Sequence, residues 1–186
     1  MSKYLLNVGL ALMALVTAGK AHALGNEVLT APCGDDRDVH FTMVVPGNDV
    51  PEQFRPFSGI WKGQFDHFRL QGIQKTSSAY CTGLIVTTIR PNGSVIVVYF
   101  YGRNAELQIM NAAAFRHNGR IVGDTLSFQD QYHHWLHYKL GVNPKTGEPE
   151  MKVIQAMINT GTLAKLPYQP PVGTAAGGNP LPKAGH

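Results

Sequence analysis

Charge is scarce in this chain. Asp, Glu, Lys and Arg together make up 15% of its 186 residues, and no basic run stands out among them. A nucleic-acid footprint needs clustered Lys and Arg, so that class is excluded. Cysteine is nearly absent too, with Cys33 and Cys81 the only two. They form no Cys-x-x-Cys, which removes the usual sign of a dithiol redox centre. There is no Gly-x-Ser-x-Gly elbow, so nucleophilic hydrolysis has little support. Helix periodicity is missing as well. Only residues 106–115 offer a helical alternative, through Ala112-Ala113-Ala114. The one long apolar run, residues 5–16, is too short and too rich in small residues to span a bilayer, so no membrane span is expected.

What is present begins with an export signal. Lys3 is followed by the apolar run and then by Ala21-His22-Ala23, a small-x-small cleavage pattern. The sequence therefore predicts a signal peptide over 1–23, cut after Ala23, and an exported, periplasmic or secreted product. No cysteine follows closely enough to take a lipid anchor. Without the leader the chain keeps 14 basic against 12 acidic side chains and is nearly neutral. Two cysteines in an oxidising compartment read as a disulfide, Cys33–Cys81. Closing a loop of that length is worth about 4 kcal/mol in the chain-entropy model.

Four regions follow from composition. After the signal peptide, residues 24–56 form an arm rich in Pro, Gly and Asp, with a short strand at 39–45 and one helical turn at 51–54. Asp35, Asp36 and Asp38 lack the spacing, glycine and final glutamate of a calcium loop, and read as a solvated turn. Residues 57–166 carry eight short segments of strand character: 59–67, 82–90, 95–101, 106–116, 120–129, 132–142, 151–158 and 162–166. Hairpin turns are expected at Pro91-Asn92-Gly93-Ser94, Asn118-Gly119 and Asn143-Pro144-Lys145-Thr146-Gly147, because Asn and Gly tolerate positive φ. Residues 167–186 are Pro-, Gly- and Ala-rich, with too little apolar mass to pack, and read as a disordered tail. Eight hairpin-linked strands close most economically into an antiparallel up-and-down β-barrel, which leaves no exposed edge. The fold class is thus all-β, with a sandwich as the rival.

Gly59-Ile60-Trp61 at the head of the first barrel strand, with Phe57 before it, resembles the calycins: lipocalins, fatty-acid-binding proteins and avidins. Phe57-Ser58-Gly59-Ile60-Trp61-Lys62-Gly63, Leu84-Ile85-Val86 and Val97-Val98-Tyr99-Phe100-Tyr101-Gly102 are similar to a bacterial group of exported calycin-like domains. The resemblance covers roughly residues 56–166. It implies that Trp61 packs across the closed end of the barrel beside a basic side chain from the last strand, where Lys165 is the candidate. The second and third lipocalin motifs are not recognisable here.

Period-two alternation places Phe65 on the same inward face as Trp61. Tyr99 with Tyr101, and Trp135 with His133 and His137, make two further stripes. Together Trp61, Phe65, Tyr99, Tyr101, His133, Trp135 and His137 are the candidate lining of a ligand pocket, apolar with polar tips. The same side chains would also serve as a filled core. On a strand, His133 and His137 stand about 13 Å apart, too far to share one ion, so no metal and no cofactor are expected. Glu106 and Asp130 qualify as an acid or base only if buried. The sequence thus points to an exported protein that binds a small apolar or amphipathic molecule. A small barrel enzyme acting on a lipid-like substrate and a protein-binding module with a filled barrel are the alternatives.

Overall fold

The computed structural model describes residues 25–71, 74–155 and 159–168. The expected signal peptide and nearly all of the expected tail lie outside them. A small hairpin, β1 (Glu27–Leu29) with β2 (Val39–Phe41), precedes a short 3-10 helix over Glu52–Phe57. Eight strands follow: β3 (Gly59–Gln71), β4 (Gln74–Ile89), β5 (Ser94–Tyr101), β6 (Ala113–Val122), β7 (Thr125–Gln129), β8 (Trp135–Val142), β9 (Pro149–Gln155) and β10 (Asn159–Leu166). Each pairs antiparallel with the next, and β10 pairs with β3, so the sheet closes into an eight-stranded up-and-down barrel. The expected fold class is the observed one.

Two hydrophobic cores share the wall of this barrel. The inner core takes Trp61 and Phe65 from β3, Leu84 and Val86 from β4, Val97 and Tyr99 from β5, then Leu126, Phe128, Leu136 and Tyr138. The outer core forms where the arm lies on the barrel, with Val39, Phe41 and Met43 against Ile60, Ile85, Val98 and Phe100. Strands β4 and β5 are therefore covered on both faces around Ile85 and Val98, which explains the unbroken apolar runs Leu84-Ile85-Val86 and Val97–Tyr101. Strand β8 keeps only its inner face dry and alternates strictly from Trp135 to Tyr138. The Cys33–Cys81 disulfide ties the arm to β4, as the sequence implies. A hydrogen bond from the Tyr168 hydroxyl to Glu27 Oε1 (2.9 Å) ties the end of the barrel chain to β1.

Two local expectations are corrected. Asn118-Gly119 is no turn: β6 runs straight through it, and the chain reverses at Gly123, with φ 59°. Gly119 is needed because the neighbouring strand comes close, and a Cβ there would sit 2.8 Å from Ser127 O. The Asn-Gly pair thus serves close strand approach, a use of glycine that a turn motif does not reveal. Residues 106–112 form neither strand nor helix. Asn104 and Ile109 exchange backbone hydrogen bonds of 3.0 and 2.9 Å around a tight turn, and Asn104 Oδ1 accepts from Leu107 N (3.0 Å). β6 starts only at Ala113.

Candidate functional site at the open end of the barrel

The two ends of the barrel differ in chemistry. At one end the 3-10 helix folds across the mouth, bringing Phe57 into the inner core with Phe54 packed beside it. Phe54 lies against the β4–β5 turn at Gly93. Trp61 is fully buried there, and its indole Nε1 donates to Phe57 O at 2.8 Å. Lys165 Nζ sits 5.3 Å from the centre of the Trp61 ring and donates to Pro56 O at 2.9 Å. Burial holds the Lys165 ammonium below the usual lysine range. Gly59 makes room for that lysine: its φ is +122°, and a Cβ would meet Lys165 Cε at 3.0 Å. The contact of tryptophan with a basic residue from the last strand, implied by the calycin resemblance, is present as a lysine version. This end is sealed.

At the other end the described residues leave a recess of about 570 Å³. Its walls are Tyr80 on β4, Tyr99 and Tyr101 on β5, and Leu107, Ile109 and Ala112 from the tight loop before β6. Asp130, Gln131, Tyr132 and His134, from the loop between β7 and β8, close the far side. Arg37 reaches the rim from the arm and donates from Nη1 to Ala112 O at 3.1 Å.

The 130–134 loop is organised by Asp130. Its Oδ1 accepts from Tyr132 N (2.8 Å) and His134 N (2.9 Å), and its Oδ2 stands 3.3 Å from His134 Nδ1. The Asp130 residue is only 7% exposed, so a carboxylate is held out of water at the mouth. Such a group needs hydrogen bonds to be tolerated, and the loop backbone supplies them.

Beneath the recess lies an aromatic stack with polar tips. Phe65 meets Tyr80 edge to face at 5.6 Å, and Phe128 stacks on Tyr138 at 5.7 Å and on His117 at 5.3 Å. Burial pushes the Tyr80 hydroxyl up to about 12, and Tyr99 and Tyr138 well above the ordinary phenol range. The Asp130 carboxylate pushes Tyr80, Tyr101 and Tyr138 in the same direction. Burial lowers His117, and Asp130 opposes that shift. Three buried polar atoms in this region make no hydrogen bond within the protein: Tyr138 Oη, His117 Nε2 and Gln131 Oε1. Buried polar atoms normally find partners, so these three are exceptions.

The candidate residues from the sequence divide into three groups. Tyr99 and Tyr101 line the recess. Trp61 and Phe65 face inward as expected but are packed below it, fully buried. His133, Trp135 and His137 stand elsewhere. His133 lies in the β7–β8 loop with φ 65°, and Trp135 and His137 are on the outer face of β8. There the two rings stack at 6.0 Å, Trp135 is 51% exposed, and His137 Nδ1 meets Ser127 Oγ at 2.8 Å. The stripe has the opposite phase to the expected one because Leu136 and Tyr138 take the inward positions. Glu106 is an exposed partner of Ser78 Oγ (2.7 Å) outside the recess, whereas Asp130 is buried within it.

Tyr80, Gln131 and Tyr132 were not legible as site residues. Tyr80 lies in a stretch too polar to read as strand, yet Tyr80, Thr82, Leu84 and Val86 alternate along β4 as inward residues do. Tyr132 sits in a loop whose shape depends on Asp130, not on strand periodicity. Among the described residues no three metal-ligating side chains converge, and no helix is long and apolar enough to cross a membrane. No protein-family model matches the sequence, and no curated protein matches it either.

Proposed function

We propose that this is an exported binding protein that holds one small amphipathic molecule at the open end of its barrel. One observation carries the reading: the barrel is packed solid around Trp61, yet its opposite mouth keeps a recess of about 570 Å³ walled by tyrosines and aliphatic side chains. That volume falls within the range of small-molecule sites, and a mostly apolar wall with a few placed polar groups is what such sites use. The apolar body of the ligand would lie against Leu107, Ile109 and the tyrosine rings, with its polar end toward Gln131 and Asp130. The disulfide and the leader both suit an oxidising compartment. Native mass spectrometry and calorimetric titration with fatty acids, retinoids, phenolics and aromatic amines test the reading. A one-to-one complex that Tyr101→Ala and Ile109→Asp weaken is expected; no complex with any class would overturn it.

A second reading is a small enzyme on the same barrel, acting on a lipid-like substrate. The His117 Nε2 and Tyr138 Oη atoms without a partner favour it, since they set a half-buried imidazole and a buried phenol near the Asp130 carboxylate. Turnover of the bound compound, lost in His117→Gln with binding retained, would select this reading over simple binding.

A further inference from the structure

We propose that the free edge of β2 takes up an extended acidic peptide as a third strand, in the slot between the arm and the outer wall of the barrel. This site is separate from the recess and does not depend on a ligand there.

The arm leaves one strand edge open. β1 and β2 make a sheet of two strands, and among the described residues β2 pairs only with β1. An edge without a partner offers a row of N–H and C=O groups to another chain. Beside β2 runs a groove of about 710 Å³, bordered by residues 37–42. Val39 and Phe41 are buried and His40 and Thr42 are exposed, so side chains from both faces of β2 border it. Successive side chains alternate between faces, so such a groove lies along the strand edge. Its far wall is the outside of the barrel, with Thr88 on β4, Val98 on β5, and Ala114 and Arg116 on β6. Two contacts fix the arm to the barrel on either side of this edge. Arg37 Nη1 donates to Ala112 O at 3.1 Å, and Val44 N donates to Thr87 O at 2.8 Å. A preformed slot spares a bound strand part of the ordering cost.

Charge selects the occupant. Arg37 comes from the arm and Arg116 from the barrel wall, and both are exposed. Among the described residues Arg116 has no hydrogen bond or ion pair, so its guanidinium fork is free for a carboxylate. The acid in the lining is Asp38, whose Oδ1 already accepts from Ala31 N at 3.1 Å. Two arginines against one aspartate leave the slot positive, and His40 adds to this when protonated. Val98 and Ala114 give a floor to an apolar side chain on the inner face of the added strand. A second copy of this chain fits less well, because pairing two β2 edges would set these arginines against their own kind.

Three capped pentapeptides test the proposal: one alternating glutamate with valine, one with lysine in place of glutamate, and the acidic one N-methylated throughout. Each is titrated by NMR into the full mature protein at about 50 mM salt, where surface charge is only partly screened. The acidic peptide should shift the amides of residues 38–42, Val98 and Ala114, and bind about tenfold tighter than the lysine peptide. N-methylation removes the ladder donors, so the third peptide should shift nothing. Arg116→Glu alters an exposed side chain and should bring the acidic peptide down to the affinity of the lysine peptide or below. Lysine or N-methylated peptide binding as tightly as the acidic one overturns the proposal, as does no shift at about 1 mM acidic peptide. A dimer of the free protein that shifts the same amides on dilution would give the edge to a second copy and also overturn it. None of these outcomes moves Ile109 or Gln131, so failure here leaves the recess reading untouched.

Discussion

At its sealed end the barrel carries Trp61, fully buried, with its one N–H donated to Phe57 O and a lysine laid over its ring. At its open end Tyr80, Tyr99 and Tyr101 are also largely buried aromatics, but their hydroxyls crowd together beneath a recess edged by a buried aspartate. Both ends are built from the same inward positions of the same strands. The difference lies in what crosses the mouth. A 3-10 helix brings Phe57 down onto Trp61, whereas the 104–109 loop and the Asp130 loop stand around a gap. The proposed ligand site is the end at which the described residues place no such cover.

Cutting the sealed end should have the largest effect. Trp61→Ala is expected to cost about 3–5 kcal/mol in urea unfolding, the range for removing a buried large aromatic. A loss below about 1 kcal/mol would mean that this end is not solid. Removing the disulfide through Cys33→Ser with Cys81→Ser should cost about 4 kcal/mol, because the residues it joins are 48 apart in sequence. The arm also carries Arg37 and Asp36 to partners Ala112 and Arg103 near the open mouth. Ligand affinity should therefore fall in that variant even where the barrel remains folded.

Alkali probes the open end next. Tyr80 titrates near 10.0 in the unfolded chain and at about 12 in the fold. The unfolded state thus loses its proton first as pH rises. Stability is fully present below pH 10 and is lost between there and pH 12, by about 3 kcal/mol from this group alone. Tyr99 and Tyr138 act in the same direction. Urea midpoints across that span should fall steeply in the parent protein and less steeply in Tyr80→Phe. The smallest effect belongs outside the barrel. Trp135→Ala should change stability by no more than about 0.5 kcal/mol, and iodide should quench Trp135 emission while sparing Trp61.

Much of the fold was legible because each strand of the barrel repeats one rule, inward apolar positions at period two. Gly59-Ile60-Trp61 marked the first strand, Asn92-Gly93 marked a hairpin, and two cysteines marked the staple. Less of the site could be read. Asn118-Gly119 has the composition of a turn but is spent on close strand packing. The phase of Trp135 and His137 was open because a histidine and an indole suit either face of a sheet, and Leu136 and Tyr138 decided it. Asp130 gathers its loop through backbone hydrogen bonds, which leave no periodic trace in the sequence.

The most direct test uses the two tryptophans as reporters. The tightest binder among the fatty acids, retinoids, phenolics and aromatic amines is titrated while backbone and indole N–H resonances are followed. A recess at the open mouth predicts shifts at Tyr101, Ile109, Gln131 and Tyr132, with both the Trp61 and the Trp135 indole signals unmoved. Shifts at Trp61 with none around Gln131 would place the cavity at the wrong end and contradict the account.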